Sequence, residues 1–302
     1  MSGLRESVTV RVPASTSNCG AGFDSLGLAL ALYNRVTLGR CSGDTPKPER
    51  AEDARALQMV GDTAKAFFDA AGIPERAFRF RIEGDVPPAR GLGSSVTVIA
   101  GVLAGLNVLH DTKLDNHRLV EIATALEGHP DNASAGILGG FTISRCDGAE
   151  GAYVDSIRVV VPDQLSFVVA SPQVELLTKE SRGALPDTLP FFDAVKSINS
   201  AAYLTAVFAT GAYEKLNHAV GDFMHEPYRL PKIPGGRAAI EAGIAAGALT
   251  GWLSGSGSSV LCVVRAEMAP VVSKAMATEF AQRSISCDMR VLKADNAGLQ
   301  VE

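Results

Sequence analysis

The sequence predicts an α+β protein with two domains. Its 302 residues are enough to build two hydrophobic cores. Strand-like and helix-like segments follow one another along the whole chain. In the second half their order is strand–helix–strand–strand–helix–strand, which is typical of a ferredoxin-like domain. The pattern changes near Pro162-Asp163, so we predict one domain over residues 1–162 and another over residues 163–302.

The first domain begins with strand patterns. Residues 8–12 alternate between apolar and polar side chains, as in a half-buried strand. A polar turn follows at residues 13–18, and an apolar run occupies residues 26–32. Residues 41–53 contain two prolines and several charges, which predicts an exposed loop. Residues 54–71 then carry Leu57, Val60, Ala64, Phe67 and Phe68 at helical spacing.

Two more strands and two helices complete this half. Residues 77–83 predict a strand, and a long apolar helix begins at Ser95. Residues 116–127 carry apolar side chains on one side of a second helix, which ends at Gly128. Residues 137–145 predict a further strand.

The second domain repeats a simple alternation. Helical runs lie within residues 191–221, before the second strand of the domain. We predict strands at residues 166–170, 250–253, 259–264 and 286–292, and helices at residues 236–247 and 268–282.

Composition excludes several functional classes. Apolar residues make up 46% of the chain and charged residues 20%, which is typical of globular proteins. A net charge of −5 gives no reason to expect nucleic acid or an anionic membrane as a partner. The five cysteines form no Cys-x-x-Cys pair, and this fits neither a zinc site nor a disulfide framework. Without a signal-peptide core or a membrane-spanning run of ~18 residues, we expect a soluble, cytoplasmic protein.

Residues 87–97 are the most informative stretch of the chain. Glycines and hydroxyl groups precede an apolar helix there, and glycines allow backbone N–H groups to approach an anion. The first turn of the helix adds unpaired N–H donors, and the Ser95 hydroxyl can ligate Mg²⁺ between phosphates. The stretch lacks the Gly-Lys-Ser/Thr triplet of a Walker loop and the glycine spacing of a dinucleotide fingerprint. Taken alone, such a helix start is more often a structural turn than a nucleotide site.

Two other Gly-rich stretches, residues 13–24 and 253–259, accompany it. In sequence, order and spacing the three resemble the motifs of the GHMP kinases, which include galactokinase, homoserine kinase and mevalonate kinase. Three such motifs in one order are far more specific than any one of them. The resemblance implies that ATP contacts Pro87, Pro88, Ala89, Arg90, Gly91, Leu92, Gly93, Ser94, Ser95, Val96 and Thr97.

Within this superfamily the chain most resembles the homoserine kinases. The resemblance rests on Asn18 with Gly22-Phe23-Asp24 and on residues 128–132, 178–182 and 225–229. Homoserine kinases transfer the γ-phosphate of ATP to the hydroxyl of L-homoserine, so it implies ATP, Mg²⁺ and L-homoserine as ligands. It also implies an N-terminal domain related to a ribosomal-protein fold, with a left-handed βαβ crossover, and a C-terminal ferredoxin-like domain. A homodimer is expected only by analogy with the family.

L-Homoserine is a zwitterion, so its pocket needs an anion clamp and an acceptor for the ammonium group. Guanidinium forks suit a carboxylate, and the resemblance gives this role to Arg182 and Arg229. It gives the ammonium to Asp24. By local pattern alone, the arginines are better explained as surface ion-pair partners, and Asp24 is equally well explained as a helix cap.

The remaining site residues also follow from the resemblance. Asn18 and Asn132 are expected at the amino-alcohol end with His129 beside them, and Thr178 is expected near the phosphoryl group. Mg²⁺ is assigned to Ser95 and Glu121. Asn132 alone is equally well explained as a helix cap, His129 as a structural residue and Glu121 as a solvated charge.

One substitution in the pattern bears on mechanism. Mevalonate kinase and galactokinase have an aspartate where this chain has Asn132, and an amide cannot accept a proton at neutral pH. We therefore expect direct attack by the homoserine hydroxyl, with alignment by Asn132, Thr178 and Arg182 and charge stabilisation by Mg²⁺ and loop amides. Asp131 is expected to have a lesser role.

Two alternative functions remain open at this point. The chain could be another small-molecule GHMP kinase, or a ligand-binding regulator that has kept the fold and lost catalysis. The presence of Ser95, Glu121 and Asn132 disfavours the regulator.

Overall fold

The computed structural model describes residues 5–147, 151–174, 181–219 and 221–302. Within these ranges the chain forms two β-sheets. The strands of the first sheet are β1 (Ser7–Ser17), β2 (Leu26–Arg40), β3 (Lys47–Pro48), β4 (Phe78–Gly84), β5 (Phe141–Asp147), β6 (Ala152–Val159) and β11 (Gln300–Val301). The strands of the second are β7 (Leu165–Pro172), β8 (Thr250–Leu253), β9 (Val260–Arg265) and β10 (Cys287–Leu292).

The antiparallel pair of β1 and β2 lies at the centre of the first sheet. Alternate valines of β1 are buried in the core, as the strand pattern predicts. The prediction of a polar turn at residues 13–18 is wrong over most of that range, because β1 continues to Ser17. The backbone of β1 stays paired with β2 up to Ser17, after a shift of register between Pro13 and Ala14. This shift leads the strand into the region where the first Gly-rich motif turns.

Two helices of the first half pack on β1 and β2, and the other two pack against these helices. The predicted long apolar helix is confirmed, and it is buried on nearly all sides, which explains its unbroken apolar sequence. The predicted helix at residues 54–71 starts later, since residues 51–56 form a 3-10 turn. These helices are α1 (Leu57–Ala71), α2 (Ser94–His110), α3 (Asn116–Glu127) and α4 (Asp131–Leu138).

The region after α3 differs from the prediction. The helix α4 extends to Leu138, so the strand predicted at residues 137–145 begins only at Phe141. Gly139 and Gly140 separate the two elements with φ values of 74° and 72°, which other residues rarely adopt. The strand β6 was not predicted, because it is an exposed edge strand whose burial does not alternate.

The second sheet has the strand order β10-β7-β9-β8, and each neighbouring pair is antiparallel. This is the order of a ferredoxin-like sheet, as the sequence pattern predicts. Among the described ranges, no helix combines the length and the apolar character that crossing a membrane requires. The helices of this half are α5 (Phe191–Thr210), α6 (Glu226–Arg229), α7 (Gly236–Ala245) and α8 (Ala269–Ala281).

The two sheets share a core. The rings of Phe141 in β5 and Phe208 in α5 stack with their centroids 4.1 Å apart. Both belong to a buried cluster that also contains side chains of β2 and β7. After β10 the chain returns to the first sheet, where Val301 pairs with Val10 of β1. The two halves are therefore joined by this shared cluster and by the strand at the C-terminal end, which pairs with the first sheet.

Candidate active site

A cavity of about 870 Å³ lies where the Gly-rich motifs meet. Its volume is within the usual range for a small-molecule site. The lining comes from the end of β1, the stretch that follows β4, the turn between α3 and α4, and the turn after β8. Segments that are far apart in sequence thus form one site.

Two glycines allow the stretch between β4 and α2 to fit between the other motifs. A Cβ atom on Gly91 would lie 2.1 Å from the backbone oxygen of Ser254, and one on Gly93 would lie 2.1 Å from Oγ of Ser15. Both glycines have positive φ values, 70° and 67°. The Ser254 hydroxyl donates a 2.7 Å hydrogen bond to the carbonyl of Gly91. The stretch is therefore held from both sides in one conformation.

The start of α2 is open to the cavity. Gly93 is the N-cap residue, and no side chain caps the helix. The first-turn N–H groups and the positive end of the helix dipole are thus suited to an anion. Ser94 and Ser95 line the cavity here. Of the predicted ATP contacts, Pro87, Pro88, Ala89, Arg90, Gly91, Gly93, Ser94 and Ser95 line the cavity.

Three of the predicted contacts lie elsewhere. Leu92, Val96 and Thr97 are at most 1% exposed and are absent from the cavity lining. Their side chains face the core, because successive positions at a helix start point in different directions. The Thr97 hydroxyl donates to the carbonyl of Ser94 and accepts from the side chain of Asn34.

The prediction that Glu121 faces the cavity is wrong. Its side chain is 40% exposed and its Oε2 atom lies 2.6 Å from Nη1 of Arg118. Glu127 lines the cavity instead, with its carboxylate near the Ser95 hydroxyl. Burial raises the pKa of Glu127, an effect that the charge of His129 and the Ser95 hydroxyl partly offset. A hydroxyl and a carboxylate from adjacent helices thus lie near each other beside residues 87–97, which we call the phosphate stretch.

The turn before α4 contains a buried ion pair. His129 and Asp131 are 8% and 1% exposed, and Nδ1 of His129 lies 2.7 Å from Oδ1 of Asp131. Burial by itself lowers the pKa of His129, but the hydrogen bond and charge of Asp131 outweigh it and raise this pKa to about 9. At neutral pH the imidazole is therefore protonated and cannot act as a base.

Asn132 is held by both ends of its amide. The Ser15 hydroxyl donates a 2.8 Å hydrogen bond to Oδ1 of Asn132, and Nδ2 of Asn132 donates a 3.1 Å bond to the Ser17 hydroxyl. Its backbone N–H donates to the Asp131 carboxylate at 2.7 Å. The hydroxyls of Ser15 and Ser17 therefore fix the orientation of the Asn132 amide.

All six residues predicted for the substrate line the cavity: His129 and Asn132, and also Asn18, Asp24, Arg182 and Arg229. Arg182 and Asp24 form a two-point ion pair, with both N···O distances 2.9 Å. Arg229 is 3% exposed. Asn18 accepts a hydrogen bond from the Asp24 N–H and donates one to the Gly255 carbonyl. Both ends of the Asn18 amide thus form hydrogen bonds within the protein. Thr178, the remaining predicted site residue, lies outside the described residues.

Arg229 differs from Arg182 in having no carboxylate partner among the described residues. Its recorded hydrogen bonds, in the part of the chain that the structure describes, are 3.4 Å contacts to the carbonyls of Ser181 and Gly255. Burial and the charge of Arg182 lower the pKa of Arg229. A buried cation that forms no ion pair with a described carboxylate is suited to an anionic ligand.

The cavity has a second wall whose residues the sequence analysis did not predict. It is lined by Arg50, Arg55, Met59 and the end of β4 from Ile82. Asp53 is buried beneath it and binds Arg50 through two hydrogen bonds of 3.0 and 2.9 Å. Residues 41–53 show only the composition of an exposed loop, so no local signal predicts this wall.

Comparison with known proteins agrees with this geometry. Models of the GHMP kinase N-terminal and C-terminal domains match residues 58–140 and 204–282. The chain is 38% identical over 296 residues to a homoserine kinase of Moorella thermoacetica, covering 97% of this chain and 99% of that one. The chain belongs to the homoserine kinase family of GHMP kinases.

Other members of this family give the same result. A homoserine kinase of Synechococcus sp. is 36% identical, with 98% of this chain and 96% of that protein covered. The crystal structure of homoserine kinase from Cytophaga hutchinsonii superimposes with a TM-score of 0.89 at 25% identity, covering 100% and 99% of the two chains. The two-domain GHMP kinase fold expected from the motifs is thereby confirmed.

Proposed function

We propose that this protein is a homoserine kinase that transfers the γ-phosphate of ATP to the hydroxyl of L-homoserine, giving O-phospho-L-homoserine. The observation that carries the proposal is the buried Arg229 guanidinium beside the Arg182–Asp24 ion pair, in the same cavity as the start of α2. This arrangement provides one site for phosphates and another for a zwitterion.

The charges of the site fit an amino acid. Arg229 lacks a carboxylate partner among the described residues, and Arg182 presents a second guanidinium to the same cavity. A carboxylate bound between them would neutralise the buried cation. Asp24 would then accept from the substrate ammonium group, so one internal ion pair would be exchanged for two ion pairs with the ligand.

The donor set beside the phosphate stretch fits Mg²⁺. Ser95 and Glu127 provide a hydroxyl and a carboxylate oxygen, the hard ligands that this ion prefers. When bound with ATP, Mg²⁺ neutralises charge on the phosphate oxygens. In this proposal Glu127 is the carboxylate ligand of Mg²⁺, a role that the family resemblance assigns to Glu121.

Catalysis depends on alignment in this proposal. The Asn132 amide is fixed by Ser15 and Ser17, so it can orient the homoserine hydroxyl toward the γ-phosphorus. The new O–P bond forms as the bond to the bridging oxygen of ADP breaks, and the hydroxyl proton passes to the transferred phosphoryl group. His129 is protonated and cannot take that proton. Asp131 is held by His129 and the Asn132 N–H.

The alternatives are less consistent with the charges. Sugars and isoprenoid alcohols have no ammonium group for Asp24, and a sugar has no carboxylate for Arg229. An inactive regulator would not need Ser95, Glu127 and Asn132 at the phosphate stretch. By analogy with the family, we also propose a cytoplasmic location and a homodimer. Sedimentation analysis of the purified protein would test the homodimer.

An ADP-release assay separates these functions. The enzyme would be supplied with Mg-ATP and, in turn, L-homoserine, mevalonate, shikimate, galactose or no acceptor. We expect acceptor-dependent ADP release with L-homoserine alone. Release with another acceptor instead would indicate a different GHMP kinase. A homoserine-induced rise in melting temperature without ADP release would indicate a regulator.

A further inference from the structure

Phe23 lies among the charged groups of the substrate site but has no role in the proposed reaction. Its ring centroid is 5.4 Å from Cζ of Arg182 and 5.2 Å from Cζ of Arg229. It is adjacent to Asp24 in the turn that joins β1 to β2. The ring therefore contacts both guanidinium groups of the expected carboxylate clamp.

Two guanidinium groups close together repel each other. Asp24 neutralises Arg182, but Arg229 is buried without a carboxylate partner in the described part of the chain. An aromatic ring attracts cations to its electron-rich face without neutralising them. It can thus keep the two groups near each other and still leave their charge available to a ligand, which a second carboxylate could not do.

The position of the ring is fixed by a neutral neighbour. His225 stacks on Phe23 with centroids 5.4 Å apart and an interplanar angle of 30°. Its side chain is fully buried, and Nε2 donates a 2.7 Å hydrogen bond to the Gly20 carbonyl. Burial lowers the pKa of His225, so the imidazole adds no third cation at neutral pH. His225 therefore connects the turn that contains Phe23 to the start of α6, the helix that contains Arg229.

We propose that Phe23 is a positioning residue that holds Arg182 and Arg229 together as a carboxylate clamp, and that it makes a carboxylate group a requirement in the acceptor. The role of Phe23 is to set specificity through the two arginines, and it does not contact the reacting atoms. This inference rests on the proposed function, since it concerns the acceptor of that reaction.

The test compares Phe23→Leu, which keeps an apolar side chain, with Phe23→Tyr, which keeps the aromatic ring. Kinetics would be measured with L-homoserine and with 3-amino-1-propanol, the acceptor that lacks only the carboxylate. For Phe23→Leu we expect KM for homoserine to rise about tenfold, with kcat and KM for ATP changing much less. The preference for homoserine over 3-amino-1-propanol should fall by a similar factor. Phe23→Tyr should retain the wild-type preference.

A purely structural role would give a different result. If Phe23→Leu lowers kcat/KM for both acceptors by the same factor, or if Phe23→Tyr fails equally, the proposal is overturned. Coupling provides a second measurement: the effects of Phe23→Leu and Arg229→Lys on KM should be less than additive, because both act through one clamp. Additive effects would also contradict it.

Failure of the proposed function is distinguishable from failure of this inference. If the proposed function is wrong, the unaltered enzyme will show no turnover with L-homoserine. In that case calorimetric titration with L-homoserine tests the clamp alone. Weaker binding to Phe23→Leu than to Phe23→Tyr would support the inference, and equal binding, or none to any form, would reject it.

Discussion

Asp131 orients two residues of the substrate site through one oxygen atom. Its Oδ1 lies 2.7 Å from Nδ1 of His129 and 2.7 Å from the backbone nitrogen of Asn132. The carboxylate is 1% exposed, so these protein groups satisfy it in place of water. We therefore expect this aspartate to orient other groups and not to act as the base of the reaction.

Substitutions at this turn should separate orientation from proton transfer. We expect Asn132→Ala to lower kcat about 100-fold, because a fixed hydrogen-bonding group at the reacting hydroxyl is lost. Asp131→Asn keeps a hydrogen-bonding side chain of the same size and should lower kcat by about tenfold or less. Steady-state kinetics, with circular dichroism to check folding, would measure both. Complete loss of activity in a folded Asp131→Asn enzyme would instead identify Asp131 as the base.

The His129–Asp131 pair should make stability depend on pH. The folded pKa of His129 is about 9, above its ordinary value of 6.5. The stabilisation is therefore fully present below pH 6.5 and is lost as pH rises through 9. We expect the free energy of unfolding to decrease by at most about 3 kcal/mol over that interval, as measured by urea denaturation.

Two histidine variants provide the comparison for that measurement. His129→Asn should remove most of the pH dependence between 6.5 and 9. His218→Asn changes an exposed histidine, and this variant should keep the pH dependence of the wild-type protein. An unchanged slope in His129→Asn would show that other groups cause the pH dependence.

The two glutamates of α3 should differ in their effect on Mg²⁺. Glu127→Gln removes a carboxylate beside Ser95, so we expect the Mg²⁺ concentration for half-maximal activity to rise about 10–100-fold. Glu121→Gln is the matched control on the same helix, where the carboxylate pairs with Arg118, and it should have little effect. Activity measured over a Mg²⁺ titration distinguishes the two. A stronger effect of Glu121→Gln would restore the assignment made from the sequence.

Removal of the Arg229 charge should stabilise the protein and impair binding. Arg229→Met keeps an unbranched side chain but removes a buried cation that, in the described structure, contacts two carbonyls and the Phe23 ring and forms no ion pair. We expect the free energy of unfolding to rise by about 1 kcal/mol and KM for homoserine to rise about 100-fold. Thermal unfolding and initial-rate kinetics would measure these changes. A large loss of stability would mean that the charge is already satisfied within the protein.

Local sequence was most informative where one chemical requirement dominates a short segment. The apolar run after Ser95 could only be a buried helix of that length, and the glycines before it anticipated the close backbone contacts of Gly91 and Gly93. The alternation in the second half likewise predicted the ferredoxin-like order. The weakest prediction was the region around α4, because small residues are compatible with both helix and connecting segment.

The choice between Glu121 and Glu127 shows where local patterns lose their information. Glu127 follows Glu121 by six positions, which places the two side chains about 120° apart around a helix axis. Helical periodicity therefore indicates that they face different directions, but it does not indicate which direction leads to the cavity. Packing of α3 against α2 and α4 decides this.

The sequence alone established the order of most elements and the Gly-rich stretch at residues 87–97, because periodicity and glycines act through local backbone geometry. The candidate substrate residues came from the family resemblance, since ion pairs and a helix cap also explain the local pattern of the arginines and of Asp24. Tertiary structure alone decided which carboxylate meets Ser95, which arginine is buried without a partner and where Phe23 lies between the charges. These features depend on contacts between segments up to about two hundred residues apart, such as His225 with Gly20. No local pattern encodes such contacts, since they arise only when the two sheets pack together.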